Sequence, residues 1–326
     1  MVSLNPKMIG FVGASKIAEK HMSILSDMYP DTKFIVLSKY IKNVYPGMPN
    51  AIFTSEITPF LETNPEWVII TSPASEHAKY LHKILKNVNA VLIEKPVANT
   101  FDNAKHIRDI VDEARCPVVM GYNLRFMKSF SVLKSALEDK IIGKIFHLQV
   151  SVGQDLKSWR PERDVKDTVS AQRDKGGGVL RELSHEFDLL QYLFGYPTEY
   201  SMISGRQKYT DFDVEDTALV HLKFHSPCSI LASLNMDFTR RDLERKMDII
   251  GEKGTLKCNF VSGKIILATE NSNKDLYHFE NDIKTSYKRM WSAFDAGRYD
   301  LFSSVEDAVQ TLHLIENIEA NSIKCQ

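Results

Sequence analysis

Residues 91–96 read Val-Leu-Ile-Glu-Lys-Pro, three apolar β-formers followed by two charged residues and a proline. Three such apolar residues in a row suit a strand covered on both faces, as in a parallel sheet, and Pro96 cannot continue the ladder. Lys95 is therefore predicted at the carboxyl end of a strand, the edge where open α/β sheets bind ligands. An amine there can exchange protons or hydrogen-bond a reacting oxygen. From these six residues alone, a solvated turn lysine is the alternative.

The N-terminal segment carries a nucleotide-binding pattern. Met8–Val12 is a short apolar strand, and Gly13 opens a turn into a helix. This order lets backbone N–H groups at the helix start face a pyrophosphate. In the pattern G-x-G-x-x-G/A, Gly13 and Ala18 fill the first and last places, but Ser15 replaces the second glycine, and its hydroxyl can donate to a phosphate oxygen instead. The candidate cofactor contacts are Gly13, Ala14, Ser15, Lys16 and Ile17.

The end of the second predicted strand bears on cofactor choice. Lys33–Leu37 is followed by Ser38 and Lys39. An NAD-specific site would place Asp or Glu here to accept a hydrogen bond from the ribose 2′-hydroxyl, whereas a hydroxyl followed by a cation suits a 2′-phosphate. Of the two forms of NAD(P), the sequence therefore slightly favours NADP. A plain solvated charge at Lys39 is the alternative.

Strands and helices alternate up to residue 122. The strand Trp67–Ile70 leads into Thr71, Ser72 and Pro73, and His77 lies in the first turn of the helix that follows. A lone histidine such as His77 is more often structural than functional. The alternation predicts a parallel, doubly wound Rossmann domain over residues 1–122, with these residues at its cofactor edge.

The rhythm changes over residues 123–326, which we assign to a substrate-binding and oligomerisation domain of the α+β class. Strand follows strand between residues 201 and 268, which predicts a large, mostly antiparallel sheet with one open face. Such a face suits a homodimer or homotetramer. The long loop 153–175 carries Trp159 and Arg160, and loops of this length usually serve a site.

One helix of this half holds a candidate acid–base group. A helical pattern runs from Val179 through Leu193, and on a continuous helix Arg181, Glu182 and His185 can share a face. A histidine fixed by a carboxylate one turn away has what a general acid/base needs. Ordinary charge pairing on a surface helix is the alternative.

Composition excludes several classes of protein. The chain has 326 residues, enough for two domains, and 41 Lys+Arg against 42 Asp+Glu, without the basic excess of a nucleic-acid binder. The four cysteines are scattered and lack metal-ligand spacing, so we expect no metal site. No apolar run approaches membrane length and the N-terminus lacks a leader pattern, so a cytoplasmic protein without membrane contact is expected.

With both halves in view, the chain resembles the glucose-fructose oxidoreductase/inositol dehydrogenase family of NAD(P)-dependent sugar oxidoreductases over nearly its whole length. Glu-Lys-Pro at this position is a fairly specific motif, and the other pieces are individually weak but collectively hard to explain otherwise. The matching pieces are Ile9–Gly13 with Ala18, Thr71–Pro73 with His77, Glu94–Pro96, Gly121–Asn123 with Arg125 and Phe126, Gly176–Gly178 with His185 and Asp188, Glu215–Ala218, and Gly251–Gly254.

The resemblance implies a role for each candidate. Lys95 would hydrogen-bond the reacting hydroxyl or carbonyl, and His185 would shuttle its proton as hydride moves between the nicotinamide and a sugar carbon. Relatives often carry Asp three or four residues before the histidine, where this chain has Arg181 and Glu182, and we assign that role to Glu182. The other implied contacts are Tyr122, Arg125, Trp159, Arg160 and Arg181 for the substrate, and Glu94, Lys95 and Asn123 for the cofactor.

Three functions are weighed. The first is an NAD(P)-dependent oxidoreductase acting on a sugar, a sugar acid or a nucleotide-linked sugar. The second is an enzyme that keeps its nicotinamide bound and recycles it during elimination or exchange. The third is a non-catalytic nucleotide- or sugar-binding regulator, which Ser15 and the altered acidic position favour and the presence of both Lys95 and His185 opposes.

Overall fold

The computed structural model describes residues 6–39, 51–159, 164–225, 229–280 and 282–325. For residues 324 and 325 it describes only the backbone. The chain forms two compact units. The first unit comprises Met1–Tyr122 and Tyr287–Leu312, and the second comprises Asn123–Ser286 and His313–Gln326. Within the described part of the chain, no helix is long and apolar enough to cross a membrane.

The first unit is built on a seven-stranded sheet whose parallel part has the order 3-2-1-4-5-6. That order is the one of doubly wound dinucleotide-binding folds, so the predicted Rossmann class is confirmed. The central strands form because they are uninterrupted apolar runs, buried along their length. The strands are β1 (Met8–Val12), β2 (Lys33–Leu37), β3 (Ala51–Thr54), β4 (Trp67–Ile70), β5 (Ala90–Ile93) and β6 (Val118–Met120), and the helices are α1 (Lys16–Met28), α2 (Ile57–Glu62), α3 (His77–Ile84) and α4 (Phe101–Asp112).

The second unit contains a nine-stranded sheet that is mostly antiparallel, as expected. Among the described strands of this sheet, only the pairs β7–β10 and β8–β16 are parallel. Its strands are β7 (Ile145–Gly153), β8 (Glu199–Gly205), β9 (Thr217–Phe224), β10 (Ile230–Asp237), β11 (Glu244–Gly251), β12 (Gly254–Asn259), β13 (Lys264–Ala268), β14 (Asn273–His278) and β16 (Ile323–Cys325). Its helices are α5 (Lys128–Glu138), α6 (Leu156–Trp159), α7 (Val179–Glu182) and α8 (His185–Phe194).

The segment 287–312, which the sequence analysis placed in the second domain, belongs to the first unit. The segment comprises the C-terminal part of α9 (Asp282–Asp295), the strand β15 (Ser303–Ser304) and the N-terminal part of α10 (Val305–Ala320). β15 extends the first sheet by pairing antiparallel with β6. Trp291 stacks on Trp67 with ring centroids 6.3 Å apart, and Phe294 meets both rings edge-on. Burial of these aromatic side chains therefore packs the C-terminal segment against the Rossmann sheet.

The helix predicted from Val179 to Leu193 is interrupted. α7 ends at Glu182, Leu183 leaves helical geometry at φ −99° and ψ 28°, and α8 begins at His185. Hydrogen bonds of the tighter i to i−3 type bridge the break, from Ser184 N to Arg181 O and from Glu186 N to Leu183 O. The expected shared face of Arg181, Glu182 and His185 assumed a continuous helix, and that premise is wrong.

Candidate active site

The carboxyl ends of β1 and β4 are adjacent at the point where the strand order of the first sheet reverses. Gly13, after β1, has a φ of +103°, and a Cβ built on it would lie 2.5 Å from Ser72 N. Thr71 ties the same two loops together, since its hydroxyl donates to Gly13 O at 3.0 Å. A side chain at position 13 is therefore excluded by both space and backbone conformation.

Helix α1 starts directly after this glycine. Ser15 is its N-cap, and the Ser15 hydroxyl accepts a hydrogen bond from Ala18 N at 3.3 Å. The serine that replaces the second glycine of the motif thus organises the helix start, while its O–H remains a donor. Ala14 and Ile17 are half-buried, and Lys16 is exposed.

Two lysines lie near the end of β2. Ser38 is buried and its N–H donates to Thr54 O, whereas Lys39 is exposed. The side chain of Lys79, on α3, lies near that of Lys39. No sequence motif indicates Lys79, because it lies 40 positions after Lys39 and only the sheet order brings it near β2.

The loop after β4 contains one candidate that is structural and one buried hydroxyl without a partner. His77 is buried, and its ring nitrogens lie 2.9 Å from Val97 O and from Ser72 O. Burial lowers the pKa of His77, and these carbonyl contacts oppose that shift. The Ser72 hydroxyl is buried with no hydrogen-bond partner among the described residues, and Pro73 is exposed.

Lys95 follows β5 at the same edge of the sheet, and the Lys95–Pro96 peptide bond is cis. Its neighbour Glu94, a predicted cofactor contact, is only 7% exposed. The Glu94 carboxylate lies 2.8 Å from His21 Nε2 and accepts a hydrogen bond from Lys95 N at 3.1 Å. Glu94 is thus directed into the first unit. Tyr122, a predicted substrate contact, is buried in the apolar core of that unit.

In the second unit, His185 is the first residue of α8 and is half-buried. Glu182, at the end of α7, accepts a hydrogen bond from Ser170 Oγ at 2.6 Å. Arg181 is buried and pairs with Glu319 of α10, so the structure gives this predicted substrate contact a partner within the fold. His185 and Lys95 belong to different units, and their shared role remains a prediction.

Arg125 and Asp188 form a buried ion pair in the second unit. Arg125 Nε donates to Asp188 Oδ2 at 2.8 Å and its NH2 donates to Oδ1 at 2.7 Å, with the side chains 4% and 1% exposed. The guanidinium also lies 4.5 Å from the centre of the Tyr192 ring. Arg125, predicted to bind substrate, therefore holds α8 against the segment that begins at Asn123.

Three predicted contacts remain, of which the structure describes Asn123 and Trp159. Asn123 is buried and donates to Ser286 Oγ at 2.8 Å. Trp159, half-buried at the end of α6, donates to Gln154 Oε1 and packs edge-on against Phe238. Arg160 lies outside the described residues. No group of His, Cys, Asp or Glu in the described ranges has the arrangement of a metal site.

Family models match both halves of the chain. Residues 7–122 match the model described as an oxidoreductase family with an NAD-binding Rossmann fold, and residues 130–257 match the GFO/IDH/MocA C-terminal domain. Myo-inositol 2-dehydrogenase of Thermotoga maritima is 24% identical over 238 residues, which cover 69% of this chain and 67% of that protein. The first three curated relatives are matched over 50% to 67% of their own lengths.

Solved structures share the fold over almost the whole chain. The WlbA dehydrogenase from Bordetella pertussis, in complex with NADH and UDP-GlcNAcA, has a TM-score of 0.78 at 18% identity and covers 97% of this chain and 96% of its own. A super-repressor mutant of Gal80p from Saccharomyces cerevisiae has a TM-score of 0.79 at 16% identity, covering 97% and 95%.

The buried ion pair makes a stability prediction. We expect Arg125→Ala to lower the free energy of unfolding of the second unit by about 3–5 kcal/mol, because it leaves Asp188 buried without its counter-charge. Lys264→Ala, which removes an exposed pair with Asp275 in the same unit, should cost less than about 1 kcal/mol. Urea unfolding, monitored by hydrogen exchange of peptides from α8, measures the loss of stability in both variants. A small loss for Arg125→Ala would show that the pair contributes little to stability.

Proposed function

The chain belongs to the GFO/IDH/MocA family of oxidoreductases, and on this premise we propose that it is an NAD(P)-dependent dehydrogenase that transfers hydride between nicotinamide and a sugar, a sugar acid or a nucleotide-linked sugar. The observation that carries the proposal is the edge of the first sheet. There the Gly13 turn and the start of α1 lie at the carboxyl end of β1, and Lys95 lies at the carboxyl end of β5, with the parallel strand β4 between them. Ligands bind at this edge in open α/β sheets.

The residues at this edge fit a dinucleotide. The absence of a side chain at Gly13 lets the loops after β1 and β4 approach each other closely, and the α1 N-terminus offers N–H groups and a positive dipole end to a pyrophosphate. The Ser15 hydroxyl retains a donor, and Ser72 Oγ is a buried polar atom without a described partner. These residues, with Thr71 and Ser38, would hold the cofactor.

The same edge supports NADP over NAD. Lys39 and Lys79 place two cationic side chains near each other at the end of β2, and like charges at short range repel each other unless an anion offsets them. A 2′-phosphate on the adenosine ribose would supply that anion.

Catalysis by the chain itself requires a hydrogen-bond donor and a proton carrier. Bound NAD(P) supplies the hydride acceptor or donor. In our proposal the Lys95 ammonium donates a hydrogen bond to the reacting oxygen, which stabilises negative charge on it, and His185 accepts or returns the hydroxyl proton. We also propose that the remaining predicted residues contact the substrate or the nicotinamide: Glu182, Tyr122, Asn123, Trp159 and Arg160.

Two other functions remain candidates. A mutant of Gal80p is named a super-repressor, and its fold covers nearly all of this chain, which supports a non-catalytic regulator as the second candidate. An enzyme with an internally recycled nicotinamide is the third. Stoichiometric bound cofactor without net oxidation of added NAD(P)H would favour the recycling enzyme, and the absence of any turnover would favour the regulator.

We predict that Lys95→Ala lowers turnover at least about a hundredfold while the affinity for the cofactor stays within about twofold, because an acid–base group is lost but no phosphate contact. His185→Asn should alter the pH dependence of turnover. Steady-state kinetics across a sugar panel, with NADPH fluorescence for binding, checks both. Lys83→Ala, an exposed residue on α3, is the control. Normal turnover of Lys95→Ala would remove Lys95 from the mechanism.

We predict tighter binding of NADPH than of NADH. Lys39→Ala should weaken NADPH binding roughly tenfold, the equivalent of about 1.4 kcal/mol, and leave NADH binding unchanged, because only NADPH carries the 2′-phosphate. Lys33→Ala, at the opposite end of β2, is the matched control. Fluorescence titration measures the affinities of the unaltered protein and of both variants for NADPH and NADH. Tighter binding of NADH by the unaltered protein would contradict the assignment of NADP.

We also propose that the chain self-associates through the open face of the second sheet. Ile323 pairs with Ile203, and Ile203 pairs with Leu219, so three exposed apolar side chains form a row across β16, β8 and β9. The exposed fractions of these residues are 66%, 44% and 42%. A row of this kind is typical of an interaction surface.

If this face is the interface, Ile203→Asp with Leu219→Asp should convert a dimer or tetramer into a 37.2 kDa monomer, because two buried carboxylates would lack partners. Leu243→Asp, which is exposed outside the strands, should leave the mass unchanged. Light scattering after gel filtration measures the mass. A native protein that is monomeric at high micromolar concentration would overturn the proposal.

A further inference from the structure

A buried carboxylate lies at the end of β5, next to the proposed catalytic lysine. Glu94 Oε1 is 2.8 Å from His21 Nε2, and Glu94 Oε2 accepts the backbone N–H of Lys95 at 3.1 Å. Both oxygens therefore have partners, as a carboxylate with 7% exposure requires. One of these partners is the main chain of Lys95 itself.

The direction of the hydrogen bonds around His21 follows from Trp291. The indole Nε1 of Trp291 donates to His21 Nδ1 at 3.1 Å, and an indole N–H can only donate. Nδ1 is therefore the acceptor, and the imidazole proton resides on Nε2, from which it is donated to Glu94. Trp291, His21, Glu94 and the Lys95 N–H form one continuous chain of hydrogen bonds within the first unit.

Packing keeps this chain in place. His21 is fully buried, with the Tyr287 ring 5.5 Å and the Trp291 ring 5.3 Å away, both edge-on. On the other side, a Cβ at Gly121 would lie 2.8 Å from Glu94 Oε1. A glycine at position 121 thus leaves room for the carboxylate, and aromatic rings restrict the imidazole.

We propose that Trp291 and His21 are positioning residues: through Glu94 they hold the backbone of Lys95 where its ammonium meets the reacting oxygen. The proposal rests on the proposed function, in which Lys95 acts on that oxygen. Hydride transfer requires groups placed to within a fraction of an ångström, and a misplacement of about 1 Å can cost a hundredfold in rate. A residue two contacts away from the lysine can therefore control turnover.

Trp291→Phe tests the role because it keeps an aromatic ring and removes the donor. We expect kcat to fall about tenfold while NADPH affinity stays within twofold, because the phosphate contacts are untouched. Trp67→Phe is the matched control: Trp67 stacks on Trp291 and is buried in the same cluster, but Trp67 is not part of the hydrogen-bond chain. Its kcat should stay within twofold.

A double-mutant cycle separates positioning from general destabilisation. In a Lys95→Ala background, Trp291→Phe should cause no further loss of kcat, since no ammonium remains to be placed. Glu94→Gln is a second variant that preserves shape. His21 still requires an acceptor, so the new amide NH2 would face the Lys95 N–H, donor against donor, and kcat should fall at least as much as in Trp291→Phe.

A measurement on the free protein is independent of turnover. In 15N-histidine spectra, the His21 signals, assigned by their loss in His21→Asn, should show a protonated Nε2 and an unprotonated Nδ1, and Trp291→Phe, which removes the donor to Nδ1, should shift the Nδ1 resonance. An Nδ1-protonated His21 in the native protein would overturn the proposal. So would a Trp291→Phe loss no larger than that of Trp67→Phe, or one that persists in full beside Lys95→Ala. If Lys95→Ala alone had normal turnover, the proposed function itself would fail.

Discussion

A negative charge buried at the end of β5 constrains much of the first unit. Glu94 needs partners because its carboxylate is almost without access to water, and the fold supplies His21 from α1 and the main chain at Lys95. Gly121 leaves the space, and Trp291 from the returning C-terminal segment fixes the tautomer of His21. Elements distant in sequence therefore converge on the residue before the proposed catalytic lysine.

The second unit fixes its site helix by comparable means. Asp188, one turn after His185, is held by both donors of the Arg125 fork, and Arg181 ties the preceding short helix to Glu319. Burial raises the pKa of Glu215, next to Gly178, where a Cβ would lie 2.6 Å from a Glu215 oxygen. The glycines before α7 thus allow a close approach of backbone and carboxylate. Arg125 and Arg181, both predicted to bind substrate, have partners inside the fold.

The sequence predicted most of the architecture, because apolar runs and alternating strands record burial directly. β1, β2 and β4 have the predicted limits, and the parallel sheet follows from the alternation of elements. The sequence could not show that residues 287–312 belong to the first unit, because Trp67 and Trp291, which contact each other, are 224 positions apart in the chain. Likewise Arg125, Arg181 and Glu94 were assigned to ligands because a charge in a motif does not reveal its partner. No proline or glycine lies at the break at Leu183, so the sequence pattern does not predict it.

The central claim, net hydride transfer by this chain, is tested most directly with NADPH carrying deuterium at C4 of the nicotinamide. The protein is incubated with keto sugars, keto sugar acids and nucleotide-linked keto sugars, and the products are analysed by mass spectrometry and NMR. The account predicts that deuterium appears on the new carbinol carbon of one sugar class, with one equivalent of NADP+ formed for each product. Retention of all deuterium on the nicotinamide with every sugar, while the cofactor is bound, would contradict it.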